Sequence, residues 1–230
     1  MVRALSLAFA LFFATPALAS GPVVVELYTS QGCEECPRAN AIAAGLAARP
    51  DVLPLTFPVD YWDYLGWTDT LAKPEFGERQ REHQRALQLR SLQTPQVVIN
   101  GRSVTSGLQR GALVSLIRTE AAATPGRPTA RFTSRGRRAA VSSGSAPAGG
   151  AEVWLVRYDP RLVQVRVEDG ANRGRLVPHR NVVREMVQLG RWTGTARYWD
   201  VPRAETPGLR TAVLVQAERS GRMLAAAVAN

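Results

Sequence analysis

Lysine, histidine and cysteine are scarce in this chain. Lys73 is the one lysine, His83 and His179 are the two histidines, and Cys33 and Cys36 are the two cysteines in 230 residues. Two cysteines cannot build a disulfide scaffold, so a hydrophobic core must hold the fold, and a chain of this length can bury one. A closed zinc site takes four ligands. Here the cysteine pair has only two distant histidines to draw on, so neither a metal nor another cofactor is expected. After the first twenty residues there is no apolar run of about eighteen, the length a membrane-spanning helix needs. The hydrophobic content is nevertheless 45%, ordinary for a globular chain and too high for a disordered one.

The first twenty residues, MVRALSLAFALFFATPALAS, join one basic residue (Arg3) to an apolar stretch ended by Pro16 and a small-x-small site, Ala17-Leu18-Ala19. That is the pattern of a secretory signal peptide cleaved after Ala19. A membrane anchor is the alternative, but the stretch is short and the small residues stand where a peptidase needs them. The expected location is secreted or periplasmic, where disulfides persist.

Charge divides the remainder. Residues 21–126 carry ten Lys or Arg and eleven Asp or Glu, whereas residues 127–230 carry eighteen and eight. Between them AAATPGRPT, at 121–129, has the small residues, prolines and glycine of a boundary. The first half alternates. Strand-like runs at 23–29, 52–59 and 96–100 are interleaved with helical patterns at 37–48, 75–89 and 108–121, which is an α/β order. The second half has eight short runs rich in Val, Leu and aromatics, separated by turn signals such as SGSAPAGG and EDGANRG, and reads as all-β. Three units are therefore predicted: a signal peptide (1–19), an α/β domain (20–124) and a smaller basic β domain (128–230). Nucleic acid is not an expected partner, because the arginines are scattered and no RNA-binding or helix-turn-helix motif is present. An anionic envelope surface or acidic partner proteins suit the excess charge better.

Cys33 and Cys36 stand as CxxC between a strand and a helix. The first N–H groups of a helix lack internal partners and carry partial positive charge. A thiolate there is stabilised and its pKa falls below the usual value of about 8.5. Cys33 is the candidate nucleophile, and Cys36, deeper in the first turn, the candidate resolving thiol. A structural staple, a zinc site and two inert thiols compete with this reading. Closing so short a loop is worth only about 2 kcal/mol, against about 3 for fifteen residues. Glu34 and Glu35 fill the gap. A carboxylate about 7 Å from a thiolate through water raises its pKa by roughly 0.4 units, so a weak oxidant, a reductant or an isomerase-like pair is expected. On the other reading both side chains simply face solvent.

A strand, a CxxC helix and then Thr94-Pro95 leading into the strand QVVIN resembles the thioredoxin fold. More closely, VVELYTSQGCEECPRAN, PVDYWDYLGWTD, RQREHQRALQLRSLQTPQVVING and LVRYDP…HRNVVREMVQLG resemble the secreted thioredoxin-like family catalogued as domain-of-unknown-function family 1223, over nearly all of the chain that follows the signal. The resemblance implies an α/β thioredoxin-like domain followed by a smaller all-β domain, with protein thiols and disulfides as partners. It also implies a cis Pro95 and a Thr94 backbone that hydrogen-bonds an extended substrate. Family members tend to have small residues between the cysteines, and Glu34-Glu35 departs from that. The family itself carries no assigned activity.

Two roles fit Glu26. By analogy with thioredoxins it is the buried acid that relays a proton to the resolving thiol, which demands reach and a raised pKa. Otherwise it pairs with an arginine at a strand edge. Tyr61, Trp62 and Trp67, with Tyr64, form either a packed connection between strand and helix or an aromatic wall that holds a peptide substrate. The helix containing Glu78, Arg81, Glu82 and Arg85 reads as solvated, with like charges at i,i+4 that repel. His83 is expected on its surface and His179 in a turn. Two functions remain open: an exported thiol–disulfide oxidoreductase, or a non-enzymatic module with a structural disulfide.

Overall fold

The computed structural model describes residues 21–122 and 127–229. The signal peptide expected over 1–19, and most of the boundary expected near 124–128, lie outside the described residues. The elements run β1 (Val23–Thr29), α1 (Cys36–Leu46), β2 (Val52–Pro58), α2 (Pro74–Ala86), β3 (Gln96–Ile99), β4 (Ser103–Ser106) and α3 (Arg110–Ala122). They continue β5 (Ala130–Thr133), β6 (Arg138–Val141), β7 (Ala151–Asp159), β8 (Val163–Arg166), β9 (Leu176–His179), β10 (Val182–Trp192), β11 (Arg197–Asp200), β12 (Arg210–Ala217) and β13 (Met223–Val228).

The expectation of an α/β thioredoxin-like domain followed by a separate all-β domain is corrected. One mixed eight-stranded sheet, in the order β13-β12-β7-β10-β2-β1-β3-β4, runs through both halves of the chain. Only three α-helices accompany it among the described residues. β1 and β2 are parallel, β1 and β3 antiparallel. β10 meets β2 in parallel at Val182 and Thr56. The neighbouring residues complete that seam. Thr56 N donates to Asn181 O (2.9 Å), Thr56 Oγ1 to Arg180 O (2.7 Å) and Asn181 Nδ2 to Pro54 O (2.7 Å). Two smaller sheets, β11-β6-β5 and β8-β9, complete the strands.

The core is shared between the two halves. On one face, Val24, Tyr28, Leu55, Phe57 and Phe76 from the first half pack with Val156, Tyr158, Leu214 and Met223 from the second. Each large apolar side chain withdrawn from water contributes about 1.5–3 kcal/mol, and separating the halves would expose most of this cluster. A second contact has no room for side chains. Gly101, in the β3–β4 turn at φ +62°, lies so close to Gly221 that a Cβ would sit 1.9 Å from its carbonyl oxygen.

On the other face of β1, Val23, Val25 and Leu27 pack against Ala39, Ala43 and Leu46 of α1 and Leu113 and Ile117 of α3. The alternation of β1 thus assigns Val23, Val25 and Leu27 to α1 and α3, and Val24, Glu26 and Tyr28 to the α2 side. Pro37 follows the first helical residue of α1 and Pro74 opens α2, positions where the missing N–H has no intrahelical use.

Candidate functional site

The CxxC loop closes the C-terminal end of β1 and is fastened from three directions. Gln31 N donates to Asp69 Oδ2 (2.7 Å), Gly32 N to Ser30 Oγ (3.1 Å) and Cys33 N to Ser30 O (3.3 Å). Cys33 and Cys36 are joined in a disulfide, with Cα atoms 5.4 Å apart. Helix α1 begins at Cys36 rather than Cys33. Cys33 sits in the preceding turn and its carbonyl accepts Cys36 N (3.2 Å). Exposure separates the two cysteines: Cys33 keeps 4% and Cys36 none. Glu34 and Glu35 between them are both exposed.

The second half of the chain supplies a cover. Asn172, at the end of the short helical turn Gly170–Asn172, is fully buried, and its Nδ2 donates to Gln31 O (2.9 Å) and to Cys33 O (2.7 Å). Its Oδ1 accepts from Arg175 (3.0 Å). No local pattern in EDGANRG marks this residue as anything but a turn former, and only the long-range fold brings it to the cysteines.

Of the three aromatic residues, two border the loop and one does not. Trp62 lies against Gly32, where a Cβ would come within 3.4 Å of its own. Trp67 Nε1 donates to Gln31 Oε1 (2.9 Å). Tyr61 instead donates to Gln80 Oε1 on α2 (3.1 Å), and burial pushes its phenol up to about 12. The Thr94–Pro95 bond is cis. Pro95 is set beside α1 by Gly107, whose Cβ would stand 2.8 Å from Ala39 and 3.1 Å from Pro95. Trp62 Nε1 and Thr94 Oγ1 are both buried without a hydrogen-bond partner among the described residues.

Glu26 is placed apart from the cysteines' helix, on the α2 side of the sheet. Its carboxylate takes a two-pronged ion pair from Arg79 (2.9 and 2.7 Å) and accepts from Tyr28 Oη (2.7 Å) and His83 Nε2 (3.0 Å). Burial alone would raise its pKa, but the Arg79 charge, with His83, outweighs that and holds the group well below the usual carboxylate range. A proton relay to the resolving thiol would need a shift in the other direction. The arginine pairing is real, but it lies in the interior, not at a strand edge.

Both histidines are also corrected. His83 is buried, since α2 turns Phe76, Arg79, Gln80 and His83 inward along one face. The charges on that helix pair as well as repel: Glu78 binds both Arg81 and Arg85 at 2.8 Å. His179 is buried on β9 against α1. Burial first, then Arg184, lowers its pKa to about 4. Its Nδ1 lies 3.4 Å from Asn40 Nδ2, and Thr29 Oγ1 donates to Asn40 Oδ1 (2.6 Å). Asn40 is one helical turn beyond Cys36, on the same side of α1. Asp69, which the sequence did not single out, is raised to about 6, chiefly by burial. Among the described residues no cluster of three His, Cys, Asp or Glu could hold a metal ion.

The arrangement is a buried disulfide whose residual exposure lies at Cys33, at the positive end of a helix, clamped by a side chain from the far half of the chain. It can exchange with an incoming thiolate at Cys33, and it can equally serve as a staple under a cover.

The crystal structure of protein AGR_C_4864 from Agrobacterium tumefaciens is similar, with 28% identity and a TM-score of 0.75 over 91% of this chain and 94% of that one. HBP35 of Porphyromonas gingivalis shares the fold alone, at 12% identity and a TM-score of 0.55 over 91% and 74%. No curated protein matches. The family described as "Protein of unknown function (DUF1223)" matches residues 24–216, a span that takes in the CxxC loop, Asn172 and the seam between the halves. This chain is a member of that family.

Proposed function

We propose that this protein is an exported thiol–disulfide oxidoreductase acting on envelope or secreted proteins. The observation that carries the proposal is the asymmetry of the pair: Cys33 retains the only exposure, and Cys36 is sealed at the first residue of α1. In the oxidised form a substrate thiolate attacks Cys33 Sγ, forms a mixed disulfide and releases Cys36 as a thiolate. A second substrate thiolate then attacks the substrate sulfur of that bond, which leaves a substrate disulfide and a reduced Cys33–Cys36 pair. In reverse, the Cys33 thiolate opens a substrate disulfide and Cys36 resolves the intermediate. The partial charge of the helix terminus favours both thiolates. Trp62 and Trp67 border the loop, and in this reading an extended substrate lies against them with its backbone on Thr94 and Pro95.

A structural disulfide is the second reading, favoured by the Asn172 clamp and by the low exposure of Cys33. Equilibrating the mature protein with glutathione and assaying insulin reduction, with Cys33→Ser as control, separates the two. Exchange requires a measurable equilibrium and an activity that the variant lacks. A disulfide untouched by glutathione and dithiothreitol in the folded state establishes the staple. Export is tested by N-terminal sequencing of the protein from its native host, where Ser20 should be the first residue.

A further inference from the structure

The helices α1 and α3, side by side on one face of the sheet, leave a groove of about 710 Å³ between them. We propose that it binds a single-chain anionic amphiphile as a free monomer, with the acyl chain on the floor and the head group at the rim. The volume falls in the range of small-molecule sites, roughly 300–1,000 Å³. Ile42 of α1, Leu108 just before α3, and Leu113 and Val114 in its first turns give it an apolar lining. Gly45 faces its open side, where a Cβ would meet nothing within 4 Å.

The rim is cationic. Arg38 comes from α1, Arg49 from the turn that follows it and Arg110 from α3, and no acidic side chain among the described residues lines the groove. Arg49 is held by Asp51 (2.6 Å). Arg38 and Arg110 make no ion pair among the described residues, so two guanidinium charges are free to meet an anion.

The walls decide the class of ligand. Beyond the free N–H groups of the first turn of α3, the helix backbones satisfy their own hydrogen bonds, and among the described residues the guanidinium groups are the only polar side chains that line the groove. A peptide or a sugar lying along its apolar floor would bury more polar groups than the rim can pair, at a cost of about 1–3 kcal/mol for each left unpaired. A hydrocarbon chain has no such groups, and a carboxylate, sulfate or phosphate at one end suits the arginines. This inference does not depend on the chemistry of the cysteines.

Calorimetric titration of the mature protein with dodecanoate below its micellar concentration tests it, with dodecyl maltoside as the uncharged comparison. Dodecanoate should bind, and bind at least tenfold more tightly than the maltoside. Gly45→Leu puts a side chain into open space, so the urea midpoint should hold while affinity falls about tenfold or more. Arg38→Gln with Arg110→Gln should weaken binding by about tenfold and remove the preference for a charged head group. No binding, equal affinity for both amphiphiles, or undiminished binding in a folded Gly45→Leu variant overturns the proposal. So does association with anionic vesicles without binding of the monomer.

Discussion

Replacing Asn172 by alanine removes both N–H donors that the second half of the chain gives to the CxxC loop. Gln31 O then loses its only donor among the described residues, and a buried acceptor left unpaired costs about 1–3 kcal/mol. Cys33 O keeps the Cys36 N–H, so its loss is closer to the net value of one hydrogen bond, about 0.5–1.5 kcal/mol. The bond from exposed Arg175 adds little. Oxidised Asn172→Ala should therefore unfold in urea with a stability about 2–4 kcal/mol below the parent. Part of that loss should reach the sulfurs, because the clamp holds the turn in which they meet. A tenfold fall in the dithiol–disulfide equilibrium constant, about 30 mV towards a more oxidising couple, is the expected share in glutathione buffers. A change in stability below about 0.5 kcal/mol, with an unaltered redox equilibrium, would refute the claim that Asn172 governs the loop.

Three other perturbations follow from the buried charges and the acidic pair. Glu26→Gln leaves Arg79 as an uncompensated buried cation and should cost about 3–5 kcal/mol in urea unfolding. Because the folded pKa of Glu26 is depressed, its contribution is fully present above about pH 4.3, the unfolded value, and is lost as pH falls further. Asp69 and His179 act in opposite directions between pH 4 and 6.5. Asp69, raised to about 6, adds stability that is present below its unfolded pKa and lost as pH rises through 6. His179, lowered to about 4, adds stability that is present above its unfolded pKa and lost as pH falls through 4. Each is worth about 3 kcal/mol, so the two largely cancel in the parent. Asp69→Asn should uncover a rise of about 3 kcal/mol from pH 4 to 6.5 in urea midpoints. Glu34→Gln with Glu35→Gln should lower the Cys33 pKa, read by alkylation rate against pH, by up to about 0.8 units. The couple should become more oxidising by no more than about 20 mV.

Local order was legible from the sequence because local forces set it. β1 spans Val23–Thr29 as its β-branched run predicts, and β13 spans Met223–Val228. The helices fall within a few residues of their patterns, and the Asn100-Gly101 turn appears where its left-handed conformations are needed. Pairing between distant strands was not legible. Nothing in VVREMVQLG states that β10 will meet β2, because that seam depends on Asn181 and Thr56, which are far apart in sequence. Charge composition pointed to two domains, whereas the apolar faces of β1, β2, β7 and β12 share one core. The misplacement of His83 has a similar origin. Polar residues at 79, 80 and 83 look solvated until Glu26, on another element, compensates Arg79. The single acid in the run VVVELYT was the available signal, and Phe76 marked the face of α2 that would meet it. Asn172 had no signal at all, since its two acceptors lie about 140 residues away.

The most direct test concerns the reach of one sulfur. The protein is reduced, kept native, treated with iodoacetamide across a range of pH, and mapped by peptide mass. The account requires Cys33 to be alkylated quickly, with a pKa below about 8.5, while Cys36 stays protected until the chain unfolds. Labelling of neither cysteine in the native state, or of both only on unfolding, would contradict it.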